Sequence, residues 1–320
     1  MRRIVTNIMT AAIAAVMLIG CAKPQEQTLR LMNWNIQNGM WDGQNDNYDR
    51  FVEFVKKYDP DVCVWCEAQT IYKTDTDQAM AKEDRYLVSH WGELAARYGH
   101  KYWCVGGHRD NYPQVITSKY PINVVAKIVG NENTIVSHGA GWATIEVNGK
   151  TVNIVSLHTW PQAYAYKAED REASIAEQGG DKYRAMEMQY ICEHTIGQFP
   201  DAADQLWMMM GDFNSRSRVD NDKYGYAEDD AKFLVHDYIK ANTPYIDVIK
   251  EKYPDQFKPT TGSRTSRIDY VYCTKPLYDR ITFADVIWDE YTTPVRDPQK
   301  LSNFWRPSDH LPILVDFDMK

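Results

Sequence analysis

The chain has 320 residues, 44% of them hydrophobic and 25% charged, which excludes a disordered chain and leaves room for a large buried core. Its net charge is −8 and no basic face is visible, which argues against a general electrostatic grip on nucleic acid. A local cation or a bound metal would still suffice for a small phosphate footprint.

In chain order, Met1-Arg2-Arg3 is a charged start, and Ile8 to Ile19 is an apolar run too short to span a bilayer as a mature helix. It ends in Leu18-Ile19-Gly20-Cys21, which resembles a bacterial lipoprotein signal whose cysteine is lipidated after cleavage; the ordinary alternative is a secretory signal cut nearby. The expected organisation is a signal peptide over 1–20, a lipidated tether over 21–28 and a single domain over 29–320. The mature protein is then expected in the cell envelope, anchored to a bacterial membrane on the periplasmic or cell-surface side.

"LRLMNWNI", Leu29 to Ile36, reads as a first strand. Tyr48, Phe51, Val52, Val55 and Tyr58 follow helical spacing, with cap candidates in Asn45 to Asn47 and a stop at Pro60. "DVCVWCEA" reads as the second strand. Its Cys63 and Cys66 lie three apart and so on opposite faces, which argues against a redox or zinc half-site and for small buried hydrophobes. With Cys21 removed five cysteines remain, an odd number that does not suit a full disulfide framework. A helix is expected around Asp84 to Tyr98, stopped by Gly99, then short strands in "HKYWCVGG", "QVITSK" and "INVVAKIV".

"GWATIEV" and "KTVNIVSLH" flank Asn148-Gly149, the pair that supplies positive φ cheaply, and so predict a hairpin. A helix is expected over Lys182 to Phe199, and strands in "LWMMMGDF", "RIDYVYC" and "PILVDFDM". Trp160 to Asp181 and Trp288 to Asn303 fit no regular element and read as long loops. Many strand runs are apolar on both faces, as in a sheet covered on both sides.

Polar residues recur at the ends of these runs: Asn35, Glu67, His158, Asp212 with Asn214, Asp269 inside "SRIDYVY", and Asp309-His310 before the last strand. Asp212 and Asn214, two apart, are expected on one face of their strand. Each residue alone has an ordinary explanation as a turn or a satisfied polar group. Asp269 is hardest to dismiss, because a carboxylate between Ile268 and Tyr270 needs a partner or a metal. Together they form a chemical set. Glu67 offers a hard oxygen ligand suited to Mg²⁺. His310 is a candidate base if Asp269 orients its ring. Asn35, Asn214 and His158 offer hydrogen bonds to phosphate oxygens. No nucleophile elbow, P-loop or HExxH pattern is present, and metal-assisted attack of water on a phosphoester fits best.

The order Asn35, Glu67, "LHT", "GDFN", "RIDYVY" and "SDH" resembles the endonuclease/exonuclease/phosphatase superfamily, over about Leu29 to Phe317. The resemblance implies a four-layer α/β-sandwich, two mixed sheets face to face with helices outside. It implies that Glu67 binds the divalent metal with Asn35 beside it, and that Asp309 orients or helps bind it. It implies that Asp212 and Asn214 hold the water and the phosphate's developing charge. It pairs Asp269 with His310 as base, and gives His158 the phosphate or the leaving oxygen. The expected cofactor is Mg²⁺, with Mn²⁺ or Ca²⁺ as substitutes.

The chain departs from the pattern in places. The AP endonuclease block that carries a tyrosine reads "NYPQVITSKYPI" here, so Tyr112 is a shifted candidate and Arg109 an alternative phosphate contact. Cys66 stands where a glutamine is usual, and a hydrogen bond behind the metal ligand is lost with it. The inositol-phosphatase signature is absent around Asp269. Acidity, the anchor and aromatic loops (Trp160, Tyr164 and Tyr166; Trp288, Tyr291, Phe304 and Trp305) favour a small or lipid-linked phosphoester. The alternative is an anchored nuclease for DNA or RNA. A silent binding protein on the same fold is disfavoured, since Glu67, Asp212 and His310 are all present. A monomer is expected.

Overall fold

The computed structural model describes residues 28–37, 48–68, 91–108, 112–296 and 305–320. One six-stranded sheet contains β1 (Thr28–Asn35), β2 (Val62–Cys66), β3 (Tyr102–Gly106) and β4 (Gln114–Ser118), with β11 (Ile281–Val286) and β14 (Ile313–Asp318). The other contains β5 (Asn123–Gly130), β6 (Ile135–Val147), β7 (Lys150–His158), β8 (Leu206–Asp212), β9 (Ile246–Asp247) and β10 (Asp269–Cys273). The strand orders are β11-β14-β1-β2-β4-β3 and β5-β6-β7-β8-β10-β9. β1 runs parallel to β2 and β7 parallel to β8, so both sheets are mixed. A separate two-residue pair, β12 (Val295–Arg296) and β13 (Trp305–Arg306), precedes β14.

Period-two alternation explains the layering. In β1, Leu29 and Leu31 join the core between the sheets, with Val62 and Val64 of β2, Ile154 of β7, and Met208 and Met210 of β8. The intervening Met32 and Trp34 face outward, under α1 (Asp49–Tyr58) and α2 (Trp91–Arg97). On the far side, α4 (Gly179–Glu193) and α5 (Leu234–Asn242) cover Val155, Leu157, Trp207 and Met209. Strands apolar on both faces are therefore the consequence of a helix–sheet–sheet–helix sandwich. Each fully buried large side chain contributes ~1.5–3 kcal/mol relative to exposure.

The helix of Tyr48 to Tyr58 is present as α1, ended by Asp59 in the left-handed region. Its expected caps at 45–47 lie outside the described residues. The Asn148-Gly149 turn has φ 51° and 73°, and β6 starts at Ile135, before the predicted run. The helix expected to reach Phe199 stops at Glu193, because Thr195 leaves helical dihedrals (φ −127°, ψ −102°), and only a 3-10 turn follows. The stretch expected as a loop from Trp160 contains a short helix, α3 (Arg171–Ala176), capped when Asp170 accepts from Ala173 N at 2.9 Å. It buries no residue and so has no apolar stripe to read. Cys63 packs under the helices, whereas the Cys66 thiol faces Leu157 O of the other sheet at 3.3 Å. The five described cysteines are free thiols.

Candidate active site

The site is the inter-sheet core continued to its rim. Asn35 shares a β1 face with Leu29 and Leu31, and Asp212 shares a β8 face with Met208 and Met210. His158 follows Val152 and Ile154 on β7, and Asp269 lies with Val271 and Cys273 on β10. Each strand keeps one face toward the core and exchanges apolar for polar chemistry in its terminal residues. Register completes the assembly, since Asp212 pairs with His158 across β7–β8 and with Asp269 across β8–β10. Gly211 permits the approach. Its φ is 152°, and a Cβ there would lie 1.9 Å from Leu157 O.

Asp212 is the hub. Its Oδ2 accepts from Asn35 Nδ2 at 2.9 Å and lies 3.7 Å from His158 Nε2 and 3.9 Å from His310 Nε2. Its Oδ1 accepts from Asn214 N at 2.9 Å. β8 ends at Asp212, so Asn214 is not on the strand. It adopts φ 45° and its side chain donates to Thr159 O at 3.0 Å. The expected same-face pair is thus replaced by a turn that Asp212 itself caps, and turn chemistry and site chemistry coincide.

Asn35 Nδ2 also donates to Glu67 Oε1 at 3.2 Å, and Asn35 Oδ1 accepts from Gln37 N at 3.0 Å. The asparagine therefore bridges two carboxylates with its NH₂ group. Glu67 is half-buried at φ 53°. His310 Nδ1 is 2.8 Å from Asp269 Oδ2, and both residues are buried. His310 is held from behind: Ser308 Oγ donates to Asn35 O at 2.7 Å and accepts from His310 N at 3.1 Å, and Trp34 Nε1 donates to His310 O at 2.9 Å. Asp309 Oδ1 is 3.9 Å from His310 Nε2. Tyr112, at φ 48°, sits at the edge with its ring 6.3 Å from that of His158. Arg109 and Cys21 lie outside the described residues, as do the side chains of Phe304 and Trp305. Tyr291 packs on Trp34 and Phe54, so it belongs to the helix-side core.

The electrostatics follow from burying several carboxylates together. Burial, then the charge of Asp269, raise the Asp212 carboxyl above its ordinary value. Burial also raises Asp309, with Glu67 adding to it. Burial would lower His310, but Asp269, Asp309 and Asp212 outweigh it and hold the ring well above the usual histidine range. His158 is lowered, chiefly by burial. A cluster of mutually repelling carboxylates fits a cation. Among the described residues, one ligand atom each of Glu67, His158 and Asp212 lie within 4.8 Å of one another, as do those of Asp212, Asp269 and His310. Oxygen-rich Glu67 and Asp212 suit a hard divalent ion.

Sequence reasoning missed His138 on β6, whose ring centroid is 4.3 Å from that of His158. It also missed Thr159, which donates to Phe213 O and, through its backbone N–H, to Asp212 O. A histidine inside the apolar run before Gly139 was the available signal.

A histidine–carboxylate pair facing clustered carboxylates at the rim of a two-sheet sandwich is the equipment of an acid–base hydrolase. The chain belongs to the Endonuclease/Exonuclease/phosphatase family, whose model matches residues 32–310. No curated protein matches it. Among solved structures it is similar to an AP endonuclease from Archaeoglobus fulgidus, with a TM-score of 0.56, 15% identity, and coverage of 91% of this chain and 99% of that one. An endonuclease/exonuclease/phosphatase from Beutenbergia cavernae gives 0.59 and 17%, covering 91% and 72%. The human Nocturnin catalytic domain gives 0.54 and 16%, covering 92% and 94%. At these identities the structures establish the fold. The family establishes a hydrolase acting on phosphoester bonds, in a group whose members depend on a divalent metal.

Proposed function

We propose that this protein is a lipid-anchored phosphoesterase of the cell envelope that hydrolyses a small or lipid-linked phosphoester. The observation that carries the chemistry is the buried Asp269–His310 contact of 2.8 Å, which leaves His310 Nε2 turned toward Asp212. With Nδ1–H tied to Asp269, and with Asp212 and Asp309 compensated by a divalent ion, the raised ring would reach its neutral form, whose lone pair sits on Nε2, the atom that takes a proton from water. Asn214, held by Asp212 Oδ1 and Thr159 O, orients that water and meets the charge developing on phosphate. His158, across Asp212 from His310, contacts the phosphate or returns a proton to the leaving oxygen. A divalent ion, Mg²⁺ in this reading, would be held by Glu67 and Asp212 with Asp309 nearby, and would compensate the carboxylates and polarise a phosphoryl oxygen.

Anchoring is supported by the charged start, the apolar run and the "LIGC" string before Cys21. A net charge of −8 favours a small phosphoester over a nucleic-acid polymer. The test uses protein beginning after Cys21, with Asp212→Ala as control. Supercoiled DNA is compared with sphingomyelin, inositol phosphates and sugar phosphates, each with Mg²⁺ and with chelator. Hydrolysis of a panel member with intact DNA is the expected result. Metal-dependent DNA cleavage that the variant lacks would instead make it a nuclease, and full activity after exhaustive chelation would remove the metal from the reading. Globomycin-sensitive processing and palmitate labelling that depend on Cys21 test the anchor.

A further inference from the structure

α4 buries apolar residues only in its second half, through Met188, Ile191 and Cys192, and in its first half the buried face is charged. Asp181, Arg184 and Glu187, three residues apart and so on one face, are 8%, 5% and 0% exposed. All three serve a short stretch of chain beside the site. Glu187 accepts from Ser137 N and Ser137 Oγ, both at 2.6 Å, and its other oxygen accepts from Trp160 N at 2.8 Å. Arg184, paired with Asp181 at 2.6 Å, donates to Trp160 O at 2.8 Å and Gln162 O at 3.0 Å.

Ser137 directly precedes His138, and Trp160 follows His158 by two residues. The rings of His138 and His158 are 4.3 Å apart, and Trp160 packs 6.0 Å from His138. Among the described residues, neither buried ring nitrogen of His158 makes a hydrogen bond of good geometry, nor does Nδ1 of His138, and Asp212 Oδ2 stands 3.7 Å from His158 Nε2. His310 is aimed by a carboxylate on its own ring. Among the described residues no carboxylate comes within hydrogen-bond distance of His158, so ring packing and the chain on either side contribute to its direction. Glu187 holds that chain at both points. A fully buried carboxylate is a costly way to fill a helix face unless its hydrogen bonds are needed.

We propose that Glu187 is a positioning residue for the phosphate centre: by tying Ser137 of β6 to Trp160 it holds the His138–His158 pair in one arrangement against Asp212. The effect on turnover rests on the reading of His158 as a phosphate-side group. The effect on ring position does not. Displacing a reacting group by about 1 Å costs on the order of 100-fold in rate.

The test is Glu187→Gln, which keeps the size but presents an NH₂ group where an acceptor is needed. ¹⁵N-histidine-labelled protein in chelator reads the rings directly, with His138→Ala and His158→Ala for assignment. The expected result is displaced or doubled His138 and His158 resonances with His100 and His236 unmoved. With bis(p-nitrophenyl) phosphate and Mg²⁺, kcat should fall on the order of 10- to 100-fold at a KM within threefold. In a His158→Ala background the same substitution should cost less than about twofold, because its route to the site is already gone. Unmoved His138 and His158 rings overturn the proposal, as does an equal loss in both backgrounds. If the wild-type protein hydrolyses neither the probe nor any member of the phosphoester panel, the proposed function fails and the ring resonances still decide this inference. If Glu187→Gln does not fold, Ser137→Ala removes one of the three bonds and is read in the same spectra, where unmoved rings again overturn it.

Discussion

Asp269→Asn isolates the chemistry of the histidine–carboxylate pair with little change in shape. Asp269 Oδ2 is 2.8 Å from His310 Nδ1 in a buried setting, so the contact is a hydrogen bond to a full charge. An amide can turn its NH₂ toward Nδ1, which forces the ring proton onto Nε2, the atom that faces Asp212 at 3.9 Å. A base in that tautomer has no lone pair for water. The comparable change in a serine-protease triad costs ~10⁴-fold in kcat, and a loss of ~10³–10⁴ is expected here, or ~4–5.5 kcal/mol of transition-state stabilisation. Stability should fall modestly: the substitution relieves the repulsion that raises Asp212, but it also removes the charge that chiefly holds His310 up, so Tm should be lower than wild type while the protein stays folded. The assay is initial-rate hydrolysis of bis(p-nitrophenyl) phosphate with saturating Mg²⁺, together with thermal unfolding. Asp269→Asn combined with His310→Ala should be no slower than His310→Ala alone, because the carboxylate acts through the ring. Activity within threefold of wild type, or losses that multiply in the double variant, would refute the pairing.

Asp212→Ala should abolish turnover while leaving the folded circular dichroism spectrum intact, because it removes the hub that His158, His310, Asn35 and Asn214 share. Arg267→Ala should destabilise by ~3–5 kcal/mol in urea unfolding, since it removes the buried guanidinium that meets Asp220 and Asp247 at 2.7 Å each and leaves the two carboxylates to Lys250, 3.3 Å from Asp220. Acid should destabilise the fold well before ordinary carboxylates protonate. Burial pushes His100 down to about 4 and His236 to about 3, against 6.5 in the unfolded chain, so the unfolded state binds more protons below 6.5. Their stability contribution is therefore complete above pH 6.5 and is lost as pH falls toward 4. It amounts to ~3 kcal/mol for His100, and the gap between urea midpoints at pH 7.5 and 5 should shrink by about half in a His100→Gln variant, His236 supplying the rest.

Much of the fold was legible because strand periodicity and turn chemistry are local. Asn148-Gly149 specifies its turn through φ alone, and Leu29 to Ile36 shows its two faces in the order of its residues. The polar ends of the strands were legible for the same reason. α3 was not, because it buries nothing, and α4 was misplaced at its ends because its buried face is partly charged.

Residue types and chain order alone determined the chemistry on offer: a histidine base, carboxylates for a hard cation, and the order of blocks that marks the family. Tertiary structure decided which of these groups meet. Asp269 reaches His310 across 41 residues and Asn35 reaches Asp212 across 177, distances that no local rule spans. Face-to-face packing of the two sheets sets both meetings, because each contact crosses from one sheet to the other, while register within one sheet, with Gly211 letting β8 approach β7, places His158 and Asp269 beside Asp212. The same packing turned Asn214 off its strand and brought His138 beside His158, because a side chain's neighbours are chosen by the core it closes over.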